Sequence, residues 1–423
     1  MKAAVREVRR VLIGAGVLEQ LPRELDGLGA RRRLLMVADA NTYRAAGETA
    51  MDVLVRAGWQ VGLCLLDSRG ELKAGEEVLG RLLSALGPEE EFLLAVGAGT
   101  INDLTKYAAH LTGRSYAVVA TAPSMDGYAS PVAALTVRGV KKTCGAIPPV
   151  AVFGDLQVLG SAPPEMIRAG FGDLLGKYTA LADWRLGHVV AGEGFSRDIA
   201  SGVRRAVDSC SQAAGGGDKD QYVLDLTLAL VESGLAMLKW GDSRPASGAE
   251  HHVAHFLEMF QHGAGQKTHL HGIRVGVAEV YMSALYHNLF RMDAGTVKAL
   301  IGRKKPEGAA AARARVEAAF GPAAGQVLEE QGGYYLDEAA RRERHAAILA
   351  NWDQLRECVK DNVPRPARIR ELLRAAGAPT SFEELGIPAS LAVSALDNSK
   401  EIRSRYTVLR LAEDLGLAPA TLC

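Results

Sequence analysis

The sequence predicts an N-terminal α/β domain followed by an all-helical domain, spanning residues 1–160 and 161–423. Three observations carry this. Short apolar runs alternate with polar, helix-favouring stretches up to about Ser161; strand-like runs are rare beyond it; and stretches rich in Ala, Leu, Glu and Arg fill the remainder. Alternation of this kind is the pattern of a parallel sheet crossed by helices. Two domains also suit a chain of 423 residues, at roughly 100–200 residues per domain.

The strands come first. Leu34–Ala38, Val61–Leu66, Phe92–Val96, Tyr116–Ala122 and Val150–Phe153 are apolar throughout, as strands buried on both faces are. Glu71–Leu86 lies between two of them and favours helix. Helices are expected over Pro164–Ala182, Tyr222–Leu238, Ala249–Glu258, Val275–Phe290, Arg341–Lys360 and Glu401–Leu415. Gly215–Asp220 reads as a loop, and Gly302–Gly325 as an interruption that is partly an alanine-rich helix.

Composition narrows the function classes. The chain is 48% hydrophobic and 23% charged, an ordinary globular balance. Lys+Arg and Asp+Glu are both 49, so a global basic field for nucleic acid is absent. Five scattered cysteines form no CxxC, the usage of a reducing compartment. Arg9 and Arg10 before the run Val11–Leu18 mimic a signal peptide, but Glu7 and Glu19 bracket that run and two glycines interrupt it. No uncharged apolar stretch approaches the roughly 20 residues of a membrane span. A cytoplasmic protein without a membrane span is expected.

Several segments can carry chemistry. In Gly14-Ala15-Gly16 the third glycine of a dinucleotide fingerprint is replaced by Glu19, so a tight turn is expected there. Phe92–Val96 leads into Gly97-Ala98-Gly99-Thr100-Ile101-Asn102-Asp103. Thr100 and Asp103 have the spacing of a capping box opening a helix through His110. Free N–H groups at such a turn bind a pyrophosphate, and Lys106 adds charge one turn on. A plain strand-to-helix turn explains the same residues equally well. Asp39, at the end of a strand, is either a ribose ligand or a helix N-cap. The loop Pro123–Pro131 carries Asp126 and Ser130 after another strand. As a segment of turn residues, it calls for nothing more than a turn.

The densest signal is histidine. Six of the ten fall within 21 residues: His251, His252, His255, His262, His269 and His271. His251 and His255 are i,i+4 and share a helical face, while His252 is turned about 100° away. Asp173 in Gly170-Phe171-Gly172-Asp173 supplies a carboxylate. Asp plus two His with an open position is the donor set of a catalytic metal site, and no nearby cysteine suggests a finger. Arg244 and Ser247 precede the histidine helix, where they can hold a phosphate or serve an N-cap loop.

Gly97–Lys106, Ala122–Pro131, Ala162–Tyr178 and Ser243–His251 resemble the bacterial sn-glycerol-1-phosphate dehydrogenases (the AraM type), which belong with the iron-containing alcohol dehydrogenases and dehydroquinate synthase. The resemblance runs from about Val11 to Leu415 and includes Glu401-Ile-Arg-Ser-Arg-Tyr-Thr407. It implies a Rossmann-like nucleotide-binding domain and a dehydroquinate synthase-like helical domain. It implies metal ligands Asp173, His251 and His271, and substrate contacts from Asp126, Asp173 and His255. NAD(P)H contacts are implied for Asp39, Gly97, Ala98, Gly99, Thr100, Ile101, Thr121 and Ser130. Ala98 departs from the superfamily's frequent third glycine. A divalent nickel or zinc, a phosphorylated ketone or alcohol as substrate, a role in supplying glycerophospholipid precursor and a homodimer are further implications. His255 stands on the ligand face outside the implied ligand set, as a proton relay would. A dehydroquinate synthase-like cyclase, a glycerol or alcohol dehydrogenase and a non-catalytic metal module are the competing readings.

Overall fold

The computed structural model describes residues 7–67, 72–137, 140–214, 216–261, 269–303, 307–331 and 336–423. His262, Glu71 and Gly215 therefore lie outside the described residues, as does part of the 302–325 interruption.

Six parallel strands form the main sheet: β1 (Arg10–Gly14), β2 (Arg33–Ala38), β3 (Gln60–Leu65), β4 (Phe92–Gly97), β5 (Ser115–Ala120) and β8 (Ala151–Asp155). Their order is β1-β8-β5-β4-β2-β3. All six residues of β4, at the centre, are buried. Each large apolar side chain so placed contributes about 1.5–3 kcal/mol. β1 was not anticipated as a strand: it pairs with β8 at the sheet edge, and the turn after it ends on Val17, whose N–H donates to Asp155 Oδ2 at 2.8 Å. A second feature absent from the sequence reading is the antiparallel hairpin β6 (Val132–Val137) and β7 (Val140–Gly145).

Among the helices that matter below are α1 (Gly99–Thr112), α2 (Pro164–Leu175), α3 (Lys219–Trp240), α4 (Ala249–Gln261) and α5 (His271–Leu289). The helix expected over Pro164–Ala182 divides at Gly176, after which Lys177–Ala191 continues. The helix Arg197–Ala213 was not anticipated.

The chain forms two compact units. One comprises Met1–Leu174 with Asp208–Asp242, the other Leu175–Val207 with Ser243–Cys423. The first unit thus runs past residue 160 and takes back α3. The reason is burial: Val223 and Val231 of α3 join the core that holds Val118, Val152 and Leu159, with Val11 and Ile13 packed against it. α3 is also the one described helix long and apolar enough to cross a membrane, but it carries Asp225, Glu232 and Lys239, and over half of its apolar window is buried (56%). Such burial is that of a core helix. Every regular element described in the second unit is a helix, as the texture beyond Ser161 implies.

The expected helix Glu401–Leu415 is not continuous. A short 3-10 turn covers Ser399–Glu401 and a helix covers Val408–Asp414. Between them, the N–H of Tyr406 donates to Glu193 Oε1 at 3.0 Å; Val408 N–H, at the start of the second helix, donates to Asp183 Oδ1 at 2.6 Å. Distant carboxylates take the donors that a continuous helix would use internally.

Candidate active site

In the first unit, the C-terminal ends of β2, β4 and β5 lie side by side, the place where ligands bind in parallel sheets. Asp39, Gly97–Ile101 and Thr121 follow these three strands. Gly97 has to be glycine: a Cβ there would stand 2.5 Å from Ile101 Cβ. Ala98 is the N-cap of α1 in extended conformation, with no side-chain cap. The Thr100–Asp103 capping box does not form. Asp103 instead accepts the N–H of Ala134 at 3.1 Å and lies 3.6 Å from Lys106 Nζ. Asp103 is engaged by the hairpin, and the N-cap of α1 is Ala98, which makes no side-chain cap bond.

Lys106 also corrects the sequence reading. Fully buried, its ammonium donates to Gly127 O (2.6 Å), Ser130 Oγ (3.1 Å) and Val132 O (2.9 Å). Burial lowers its pKa. Lys106 bolts the Asp126 loop and the hairpin to α1 and offers nothing to a pyrophosphate. Ser130 is part of that bolt, donating to Gly127 O at 3.0 Å. Asp39 forms a full capping box with Thr42: Asp39 Oδ1 accepts from Asn41 N (2.7 Å) and Thr42 N (2.9 Å). Of its two readings, the N-cap is observed.

Asp126 and Asp173 meet in this unit. The N–H of Asp126 donates to Asp173 Oδ2 at 3.1 Å, and Asp126 Oδ2 accepts from Ser233 Oγ of α3 at 2.9 Å. Gly170, one turn before Asp173, makes this approach possible: a Cβ there would stand 1.8 Å from Pro123 O. Asp173 is 1% exposed. Ser233 was invisible to sequence reading, since one serine in an apolar helix carries no signal.

In the second unit, His251, His255 and His271 converge. Their ring centroids are 5.3 Å (251–271), 4.9 Å (255–271) and 6.3 Å (251–255) apart. Each faces a buried carboxylate. His251 Nδ1 is 2.7 Å from Glu250 Oε1, His271 Nδ1 is 2.7 Å from Glu258 Oε1, and His255 Nδ1 is 3.2 Å from Glu258 Oε2. A carboxylate accepts, so each Nδ1 carries the hydrogen and each Nε2 is the ring's lone-pair nitrogen. Glu250 is itself held by Gly248 N–H (2.7 Å) and Thr179 Oγ1 (2.9 Å). The same hydroxyl also meets Glu279, whose carboxyl burial pushes well up, so that the protonated Glu279 can donate to Thr179 Oγ1 while Thr179 donates to Glu250.

His252 and His269 separate from this group. His269 Nε2 lies 3.0 Å from Leu385 O. His252 is fully buried, its pKa driven well down by desolvation, with no hydrogen-bond partner for either ring nitrogen among the described residues. The angular argument that set it apart from His251 and His255 holds.

Helix α4 starts where it does because Asp183 Oδ2 accepts the N–H of Ala249 at 2.7 Å. Asp183 also takes Tyr286 OH and Val408 N–H, both at 2.6 Å. Burial pushes its pKa up to about 7. Arg244 is nearly buried, forming an ion pair with Glu193 and donating to Tyr406 O at 3.5 Å. Arg405, unremarked in the sequence beyond its segment, spans Ser247 O (3.1 Å) and Ser243 Oγ (2.8 Å).

Residues 12–163 match the family model described as iron-containing alcohol dehydrogenase. Among solved structures, glycerol dehydrogenase from Schizosaccharomyces pombe superposes with a TM-score of 0.62 at 16% identity, covering 98% of this chain and 89% of that one. That likeness is one of fold. A glycerol-1-phosphate dehydrogenase [NAD(P)+] from Halalkalibacterium halodurans is 34% identical over 95% of this chain and 92% of its own length. One from Bacillus licheniformis is 30% identical over 98% and 91%. With identity of that order sustained over nearly the whole of both chains, the chain belongs to the glycerol-1-phosphate dehydrogenase [NAD(P)+] family.

Proposed function

We propose that the protein is a metal-dependent NAD(P)H oxidoreductase interconverting dihydroxyacetone phosphate and sn-glycerol 1-phosphate. The observation that carries this, beside family membership, is the convergence of His251, His255 and His271, each held through Nδ1 by a buried carboxylate. A non-catalytic metal module has no need of a third, relay-ready imidazole.

The α/β unit is the proposed nucleotide binder, through the Gly97–Ile101 turn with Ala98, Gly99 and Thr100, and through Thr121. Uncapped N–H groups at the start of α1 suit a pyrophosphate. Asp39 serves the ribose with the carboxylate oxygen not used in its capping box. Ser130 contributes by holding the loop. Asp173, His251 and His271 are the proposed metal ligands. Nitrogen and oxygen donors without sulfur, with carboxylates behind the imidazoles, fit a divalent ion, nickel or zinc. When bound, NAD(P)H supplies the hydride and the metal supplies Lewis-acid polarisation of the substrate oxygen.

The chain's own residues do the rest. His255 holds the proton that the C2 oxygen takes up as the hydride adds to C2, and recovers it in the reverse direction. Asp126, steadied by Ser233, accepts a substrate hydroxyl. Arg244 and Ser247 are the proposed phosphate contacts. A homodimer and a cytoplasmic location complete the proposal; these two rest on the resemblance and the cysteine usage.

The test is oxidation of NADH and NADPH by dihydroxyacetone phosphate, with chiral analysis of the product. Net consumption yielding sn-glycerol 1-phosphate is expected. No turnover with either nucleotide in metal-loaded protein overturns the proposal.

A further inference from the structure

We infer that Glu258 is a positioning residue that sets the metal-ligand histidine and the proton-relay histidine together. The inference rests on the roles proposed above for His271 and His255. Glu258 lies on α4 three residues after His255, so one turn of helix brings their side chains together. His271 is the first residue of α5, and it reaches the same carboxylate from the other side. One carboxylate thus receives two imidazoles, on different oxygens: His271 on Oε1 at 2.7 Å and His255 on Oε2 at 3.2 Å. The two rings stack with centroids 4.9 Å apart and planes only 22° off parallel.

Burial gives this arrangement its force. Glu258 is 3% exposed, and the guanidinium of Arg274, 2% exposed, lies 3.5 Å from Oε1. A buried carboxylate is costly unless such donors meet it. The donor atoms of His255, Glu258 and His271 also lie within 4.8 Å of one another, so Glu258 can be asked whether it is a ligand itself. The contacts it makes are those of a hydrogen-bond acceptor. Oε1 is shared by His271 and Arg274 and Oε2 is taken by His255. Both contacts run through Nδ1, so Glu258 fixes the tautomer of each ring with the lone pair on Nε2, the nitrogen the roles proposed above require.

Two consequences distinguish Glu258 from Glu250, whose contact with the three converging histidines is through His251. Loss of the Glu258 charge should weaken the metal through His271 and slow proton transfer through His255. Loss of the Glu250 charge should act through the metal.

The experiment uses the full-length protein stripped of metal and titrated with zinc against a chromophoric chelator, followed by steady-state kinetics. Glu258→Gln is expected to bind zinc roughly 10–100-fold more weakly. At saturating zinc it should retain a lowered kcat with KM for NADH near wild type. The kcat deficit of Glu250→Gln should be largely repaired by saturating zinc. Wild-type zinc affinity and kcat in Glu258→Gln overturn the inference. So does complete loss of zinc in Glu258→Gln while His271→Ala retains it, because Glu258 is then a ligand. A second measurement needs no Glu258 variant to fold: in wild-type protein labelled with ¹⁵N-histidine, His255 and His271 should each show a protected, downfield Nδ1–H proton, assigned by His255→Ala and His271→Ala. Their absence also overturns it. Zinc affinity and the Nδ1–H signals are read without turnover, so failure of the dehydrogenase reading is seen separately, as absent NAD(P)H oxidation in the wild type.

Discussion

Glu250 Oε1 accepts the Nδ1 hydrogen of His251, its neighbour in sequence, at 2.7 Å. Adjacent residues on a helix point about 100° apart, so this contact closes only because Gly248 N–H and Thr179 fold the carboxylate back over the first turn of α4. The imidazole is held in one tautomer before any ligand arrives. A set of expectations about metal and proton follows from this.

Asp173→Ala, His251→Ala and His271→Ala should each lose metal and activity together. His255→Ala should keep its metal and lose roughly 10²–10⁴-fold in kcat, the range for a lost general acid–base. His252→Ala should keep its metal. Metal analysis beside kinetics on all five variants decides the assignment. Full activity in metal-free wild-type protein, or metal loss confined to His252→Ala, would falsify it.

Gly97 and Gly99 should fail in different ways. A methyl at Gly97 meets Ile101 Cβ at 2.5 Å, so Gly97→Ala should lower the thermal midpoint as well as nucleotide binding. At Gly99 the nearest atoms are those of the flexible Met125 side chain, from 3.5 Å. Gly99→Val should therefore fold and raise the KM for NAD(P)H. Thermal melts and nucleotide titrations on both variants check the split; an unchanged KM in Gly99→Val would mean that the turn is structural only.

Lys106→Met tests the bolt under the Asp126 loop. It removes a donor shared by Gly127 O, Ser130 Oγ and Val132 O in a site without solvent. Each buried acceptor left unmet costs about 1–3 kcal/mol. The variant should be destabilised by at least about 2 kcal/mol in denaturant titration. A variant as stable as wild type but with weakened NAD(P)H binding would restore Lys106 to the pyrophosphate.

Asp183 makes stability depend on pH. Burial raises its folded pKa to about 7, while the unfolded chain keeps a value near 3.8. Between the two, the folded protein holds a proton that the unfolded chain has released, so this group's contribution to stability falls as pH rises from about 4 to about 7. Asp183→Asn lacks that titration. It should be less stable throughout, because its amide N–H₂ meets donors from Tyr286, Ala249 or Val408, and the gap to wild type should narrow as pH rises through the window. Urea midpoints of both proteins at pH 5 and pH 7.5 measure the gap; a gap that widens contradicts the raised pKa.

Much of the architecture was legible because its physics is local. Apolar runs such as Phe92–Val96 and Leu34–Ala38 state burial on both faces wherever they occur. The glycines at 97 and 99 state a tight turn, and the i,i+4 spacing of His251 and His255 places both on one face while setting His252 aside. None of these inferences needs a distant partner. The capping box at Thr100 and the charge of Lys106 looked equally local, yet both were overridden. The hairpin Val132–Gly145 supplies Asp103 with a backbone donor and Lys106 with an acceptor, and a hairpin folding onto α1 leaves no trace in the sequence of α1.

The carboxylates that orient the site were beyond sequence reading for the same reason. Glu250 and Glu258 are acidic residues in an ordinary amphipathic helix, where most such residues face water; only packing made them dry and turned them toward His251, His255 and His271. Ser233 reaches Asp126 across 107 positions, and Asp183 reaches Val408 across 225. Helical propensity over Glu401–Leu415 was overruled when Tyr406 and Val408 gave their N–H groups to Glu193 and Asp183. Pattern and spacing singled out the histidines of one helical face, and the family resemblance supplied the roles proposed for them. Which buried charges hold them, and in which tautomer, depended on long-range burial, because a charge removed from water must find its partner wherever the fold brings one.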